Sequence, residues 1–498
     1  MSGFNRLIKN AISNVINGFS NVILGIIISP LLIKILSIND FAIWSLALQV
    51  GAFFSLIGFT GQLSVARYIT LAKAQLNELQ VHRVIKYGLT VSSIGVLISI
   101  AILFISYVNF YSIFEAINHN DSPSAPTVFF IVSLSFILGL ITSSFNGYFT
   151  GVERNEIPAI INFVSRIILG IGIYFSAKHS MLTMAWVYLT INMLSYIIIY
   201  CLYRNFSITN KTDKNRLDDS LSGASFGCFL NYCLGVFVFN LSTFLIVNLN
   251  SVLVGKFAFK EYAYYALSIT LVTAVVGFLN AAITPVLQPL VKMVHADDKN
   301  KLDRFVYMLS QTLFYLTFFI LIANFVIGDY IMKLWVGDNV AIMTYPIFSL
   351  LLLTNLTRLI SSPLGLVYLA KGKQNEIMYL PLLEGIVSVA LTYAFVKTYG
   401  IYASAISLGI STILIMLIYS FKLIDISAIE TSKGRYRLLL AGGPLILFTV
   451  ITALVKLKME FIDYEEKQLF LIFMLVILLI IANMIYKNVK IIKALLGG

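Results

Sequence analysis

Apolar residues along this chain come in long runs separated by short polar breaks. Fourteen runs can be marked, near 12–36, 41–65, 84–108, 127–150, 157–177, 182–203, 224–254, 262–290, 305–328, 343–370, 376–396, 401–421, 437–456 and 468–486. About 20 mostly apolar residues cross the hydrocarbon core of a bilayer as a helix. The pattern therefore predicts an all-α polytopic membrane protein of about 14 transmembrane helices, numbered here as spans 1 to 14. Arg6 and Lys9 precede the first run, and no small-x-small cleavage pattern follows it. It is read as a retained span and not as a signal peptide.

Two sequence patterns recur in the same order. Ser143-Ser144-Phe145-Asn146-Gly147 leads to Asn155-Glu156-Ile157, and Ser361-Ser362-Pro363-Leu364-Gly365 leads to Asn375-Glu376-Ile377. Asp40-Phe41-Ala42-Ile43-Trp44-Ser45-Leu46 matches Glu261-Tyr262-Ala263-Tyr264-Tyr265-Ala266-Leu267 at nearly the same offset. Paired echoes of this kind point to a duplicated half, with two pseudo-symmetric six-helix lobes related by parallel symmetry. The charged loop Arg204–Asp219 is the natural boundary. The expected division is 1–210, 211–425, and a C-terminal part, 426–498, that carries spans 13 and 14 outside the repeat.

Composition agrees with this picture. Of 498 residues 59% are apolar and 12% are charged, with a mean hydropathy of +0.90. A soluble domain carries about 25% charged residues. The net charge of +12 does not point to nucleic acid, because no basic run is long enough to track a phosphate backbone. It is read as loop Lys and Arg facing an anionic leaflet. With the N-terminus in the cytoplasm most of the 35 Lys and Arg fall on inside segments, and the loop from Asn109 to Pro126 has none. Both termini are expected in the cytoplasm. Cys201, Cys228 and Cys233 lie in apolar runs, and the last two point to different helix faces, which argues against a disulfide framework.

Polar residues inside the spans carry the candidate chemistry. Asn14, Asn17 and Asn21 line one face of span 1 with Gly25 and Ser29. Thr270, Thr273, Gly277, Asn280, Thr284 and Gln288 do so in span 8, where Pro285 and Pro289 should kink the end. Span 5 aligns Asn162, Arg166, Gly170 and Tyr174, and span 10 sets Asn355, Ser361 and Ser362 around Arg358. Such residues either join helices or line a shared polar cavity; their recurrence on corresponding spans favours the cavity. Arg166 and Arg358 lie deep in spans 5 and 10, where an arginine costs about 2.5–3.5 kcal/mol. That cost is offset by water, by a partner or by an anionic substrate. Glu384, in span 11, is the carboxylate well inside a span. It could pair with Arg358 or with Arg166 and lock helices, but one carboxylate cannot neutralise both. Arg67, at the end of span 2, reads as an interfacial anchor or a weaker anion contact.

Several classes lack their signatures. No phosphate-binding P-loop occurs, and Gly170-Ile171-Gly172 has neither a third glycine nor a preceding strand. His82, His119, His179 and His295 are scattered and lack metal-ligand spacing. No long loop exists to hold an active site, so neither an enzyme nor a resident cofactor is expected.

Residues 10–75 resemble the opening of the Wzx-type oligosaccharide flippases of the MOP (MATE-like) superfamily. The matching features are the Asn-rich first span, Pro30-Leu31-Leu32-Ile33, Phe41-Ala42-Ile43-Trp44-Ser45-Leu46, Gly58-Phe59-Thr60-Gly61 and Ala66-Arg67-Tyr68-Ile69. The likeness continues as span number and duplicated halves. It implies a bacterial inner-membrane flippase for undecaprenyl-diphosphate-linked oligosaccharide, such as an O-antigen repeat unit. Coupling to a proton, sodium or chloride gradient is compatible with it, and the implied protein partners are an O-antigen polymerase and a chain-length regulator. The cationic cavity it implies falls on Arg166 and Arg358, and weakly on Arg67; span 1 has no arginine in its middle, which departs from the pattern of the related lipid II flippase. A capsule or other glycan flippase, or a cation-coupled drug exporter on the same fold, are the alternatives. The exporter would carry interior acidic residues, and Glu384 stands alone.

Overall fold

A computed structural model describes residues 25–75, 78–117, 119, 122–209, 225–283, 286–295, 299–371, 379–422 and 464–497, with 439 and 443. Asn14, Asn17, Asn21, Asn375, Glu376 and nearly all of span 13 lie outside the described residues, as does most of span 1. Among the described residues, the regular structure is helical and twelve helices are long and apolar enough to cross a membrane. They correspond in order to spans 2–12 and 14.

The chain divides into two compact units, Met1–Ala266 and Leu267–Gly498. Packing thus divides the chain later than the repeat boundary expected near residue 210, because the span 7 helix packs along span 2. Gly255 meets Leu46, the Phe53 and Phe244 rings meet at a tilt with centroids 5.4 Å apart, and Arg67 lies over Tyr232. Residue numbers run in opposite directions along this seam, so the two helices are antiparallel.

In the first unit, Ile38–Ala74 (span 2) and Ala125–Gly151 (span 4) form the central pair. A side chain at Gly58 would meet Leu140, one at Gly147 the carbonyl of Gln62 at 2.6 Å, and one at Gly151 the carbonyl of Ala66 at 2.8 Å. Close backbone approach through small residues is how membrane helices gain packing energy without a hydrophobic driving force. The register rises along both helices, so spans 2 and 4 run parallel, as alternating crossings require. Glu78–Val108 (span 3) packs antiparallel to span 2, with Gly95 against Ile57. Glu156–Ala177 (span 5) packs on Met181–Thr209 (span 6), with Gly172 against Val187. Its opposite face, Ile160, Phe163, Ile167 and Ile171, is exposed, as a lipid-facing stripe should be.

In the second unit, Lys299–Val336 (span 9) runs antiparallel to span 10, with Asn324 bonded to Ser349 and Thr317 to Leu356. Span 14, Tyr464–Gly497, packs on span 9 through Ile322, Phe325, Met474 and Ile481. Tyr379–Tyr399 (span 11) pairs with Tyr402–Lys422 (span 12).

The second repeated pattern occupies matching places. Ser37 caps the span 2 helix, and Phe41 and Trp44 are buried in its first turns. Tyr262 and Tyr265, at the matching positions, are buried in the first turns of the span 8 helix Tyr262–Ile283.

Spans 7 and 10 differ from the continuous helices expected. Span 7 contains a π-helical turn, Leu245–Leu249, between Phe226–Phe244 and Asn250–Phe257. Span 10 is broken into Asp338–Leu359 and Ser362–Ala370. In span 8, helix is described over Tyr262–Ile283 and again over Leu287–His295, and Pro285 lies outside the described residues.

Candidate functional site

The break in span 10 follows from Pro363. Proline has no N–H to donate to the carbonyl four residues earlier, and its ring crowds that carbonyl. The Leu359 carbonyl that Pro363 cannot serve accepts from Ser362 Oγ at 2.8 Å, and the Arg358 carbonyl accepts from both the Ser361 N–H and Ser361 Oγ, the latter at 2.9 Å. In the first copy Phe145 stands where Pro363 stands in the second, and the helix continues without a break. The second copy is thus a membrane helix interrupted by one tight turn at Ile360–Ser361, and Arg358 occupies the last turn of its first half. A cation there also complements the negative end of the helix dipole.

Arg358 Nε donates to Glu384 Oε2 at 3.1 Å. Of the pairings open from sequence, Arg358–Glu384 is formed within the second unit. Glu384 Oε1 accepts from Thr412 Oγ1 at 2.9 Å. The carboxylate therefore receives one donor from span 10 and one from span 12 while sitting in span 11. The two partners differ in exposure: the Glu384 side chain is 5% exposed and that of Arg358 30%. Tyr419, two turns beyond Thr412, lies within electrostatic reach of both charges.

Arg166 occupies a different setting in the first unit. It is half-buried on the span 5 face toward span 6, within hydrogen-bonding reach of the buried Tyr188 hydroxyl. Tyr188 is packed by Trp44 at 5.8 Å and Phe136 at 6.0 Å. One turn on, Asn192 donates to the Tyr188 carbonyl, and two turns on, Tyr196 donates to the Ser135 carbonyl. Among the described residues Arg166 has no carboxylate partner. Arg67 is exposed, with its guanidinium carbon 4.2 Å from the Tyr232 ring centroid. The helix that carries Arg67 continues to Ala74.

The polar stripes divide. Asn355 is 8% exposed, and its amide donates to the Leu351 carbonyl of its own helix. Thr273 and Asn280 are exposed in an otherwise apolar helix, with Thr273 Oγ1 donating to the Thr270 carbonyl, and Asn162 is half-buried. Thr412, Tyr188 and Tyr232 were missed by sequence reasoning. Thr412 lies in a run of small and apolar residues that carries no distinguishing signal. Tyr188 and Tyr196 do share one face of span 6 with Asn192, a spacing that could have marked a polar seam. Among the described residues no cluster of three metal-ligating side chains occurs.

A family model described as "Polysaccharide biosynthesis protein" matches residues 7–295, more than half of the chain. No curated protein matches the chain in sequence. Among solved structures, the lipid II flippase MurJ in an inward closed conformation is similar over 96% of this chain and 99% of its own, with TM-score 0.68 and 17% identity. An inward-facing multidrug resistance MATE family transporter of the MOP superfamily is similar over 88% of this chain and 96% of its own, with TM-score 0.60 and 13% identity. At these identities the likeness establishes the fold. The chain belongs to the polysaccharide biosynthesis protein family, as a multi-pass membrane protein with the fold of the MOP-superfamily flippases and transporters.

Proposed function

We propose that this protein is a flippase that moves an undecaprenyl-diphosphate-linked oligosaccharide, such as an O-antigen repeat unit, from the cytoplasmic to the periplasmic leaflet of a bacterial inner membrane. Both termini are in the cytoplasm, and the two lobes alternate access by rocking against each other. Arg358 contacts the diphosphate, assisted by Arg166 and Arg67, and Thr273 and Asn280 meet sugar hydroxyls while the polyprenyl tail stays in lipid.

The observation that carries the reading is Arg358 at the broken helix. Discontinuous helices hold ion and anion sites in transporters because irregular backbone is tolerated at membrane depth where it lines a cavity. Family membership supplies the polysaccharide context. Exposed Thr273 and Asn280 support it too, since polar side chains on a lipid face are unfavourable. The membrane potential helps: each negative charge leaving a negative interior gains about 2.3 kcal/mol per 100 mV. Replacing Arg166 and Arg358 together by Gln is expected to abolish surface polysaccharide while the protein remains in the membrane. Normal polysaccharide in that variant contradicts the reading.

A further inference from the structure

Glu384 does more for Arg358 than neutralise it. A guanidinium has five N–H donors, one on Nε and four on the terminal nitrogens. The pair with Glu384 engages Nε. No terminal nitrogen of Arg358 has a protein partner among the described residues, and the side chain remains 30% exposed. A pair that served to lock two helices would bury both partners and use the guanidinium fork. Here the carboxylate is buried, and among the described residues no side chain takes up the fork. That fork matches two oxygens of a carboxylate or a phosphate.

Thr412 is the second sign. Several threonines in these spans return their hydroxyl to a carbonyl of their own helix, as Thr60 does to Leu56, Thr344 to Val340 and Thr357 to Leu353, and Thr317 gives its own to a backbone carbonyl of the neighbouring helix. Thr412 instead gives its proton to Glu384 Oε1. With one oxygen held from span 12 and the other by Arg358, the carboxylate cannot turn away from Nε.

We propose that Glu384 and Thr412 are positioning residues, which hold Arg358 by Nε and so aim its terminal fork at a phosphoryl group of the transported lipid diphosphate. This rests on the reading of Arg358 as an anion site. Lysine at position 358 would keep the charge but have no fork to aim.

The test uses full-length protein in nanodiscs, titrated calorimetrically with farnesyl diphosphate, with melting temperature recorded for each variant. The wild type should bind, and R358Q should lose binding. T412V should weaken binding about tenfold, the scale of one hydrogen bond to a charged group, and T412S should restore it. In an R358K background T412V should change nothing further, an outcome that a merely structural threonine would not give. E384D, which draws the carboxylate back by one methylene, should weaken binding as T412V does and stands in if T412V fails to fold. Wild-type affinity in folded T412V and E384D overturns the positioning role and leaves the anion site intact. No binding to wild type, or unchanged binding in R358Q, overturns the anion site and the positioning role together.

Discussion

Arg358 Nε and Glu384 Oε2 lie 3.1 Å apart, linking span 10 to span 11. Removing one partner of a buried pair costs about 3–5 kcal/mol because the other is stranded, whereas replacing both with apolar residues is often neutral. Arg358 is partly exposed, so E384A should fall near the lower end of that range. R358A should cost more than E384A, since it strands the more buried charge. R358M/E384L should recover most of the loss. Denaturant unfolding of the purified protein in detergent gives all four values.

The break in span 10 depends on one residue. Pro363→Ala supplies the missing N–H to the Leu359 carbonyl and competes with the Ser362 hydroxyl for it. Hydrogen exchange at residues 359–363 should slow, and the protein should melt at a higher temperature. If the break serves transport, surface polysaccharide should fall in the same variant. Unchanged exchange would mean that neighbouring helices impose the break.

Spans 2 and 4 touch through glycine. Gly147→Val must displace either the Gln62 carbonyl or Val65, and both are held in a packed helix. Overpacking of this kind costs about 1–3 kcal/mol, and the variant should melt earlier than Gly365→Val, where nothing lies within 4 Å of the added carbon. Equal melting temperatures would show that the interface yields.

Arg67 stacks on Tyr232 at an exposed position, where such a contact contributes about 0.5–1 kcal/mol. R67A should therefore barely change melting. If Arg67 contacts the diphosphate, R67A should reduce surface polysaccharide and R67K should retain part of it. An equal effect of R67A and Y232A on melting, with polysaccharide unchanged, would leave Arg67 as an interfacial anchor.

The fold was largely readable from sequence because lipid imposes a simple rule: long apolar runs must be helices. Twelve of the expected spans appear in order, and the two places where Asp40 and Glu261 begin their patterns open helices with the same residues buried. The breaks were less legible. Pro363 was visible, but proline in a membrane helix is tolerated when serines or neighbours satisfy the freed carbonyls, so its presence alone does not separate a kink from an end. The π-helical turn at Leu245–Leu249 has no sequence mark at all. At the site, Arg358 and Glu384 were named from the cost of burying charge. Which arginine takes the carboxylate depended on helix packing, and so did the third member, Thr412. Asn355 shows a further ambiguity, because an asparagine can spend its amide on its own helix as readily as on a ligand.

The most direct test of the central claim is the position of lipid-linked intermediates in a strain deleted for this gene. The account predicts loss of long-chain surface glycan, with complete repeat units trapped on the cytoplasmic leaflet, and their sugar composition would identify the substrate. Complete units that reach the periplasmic leaflet and remain unpolymerised would contradict a flippase and point to a later step of assembly.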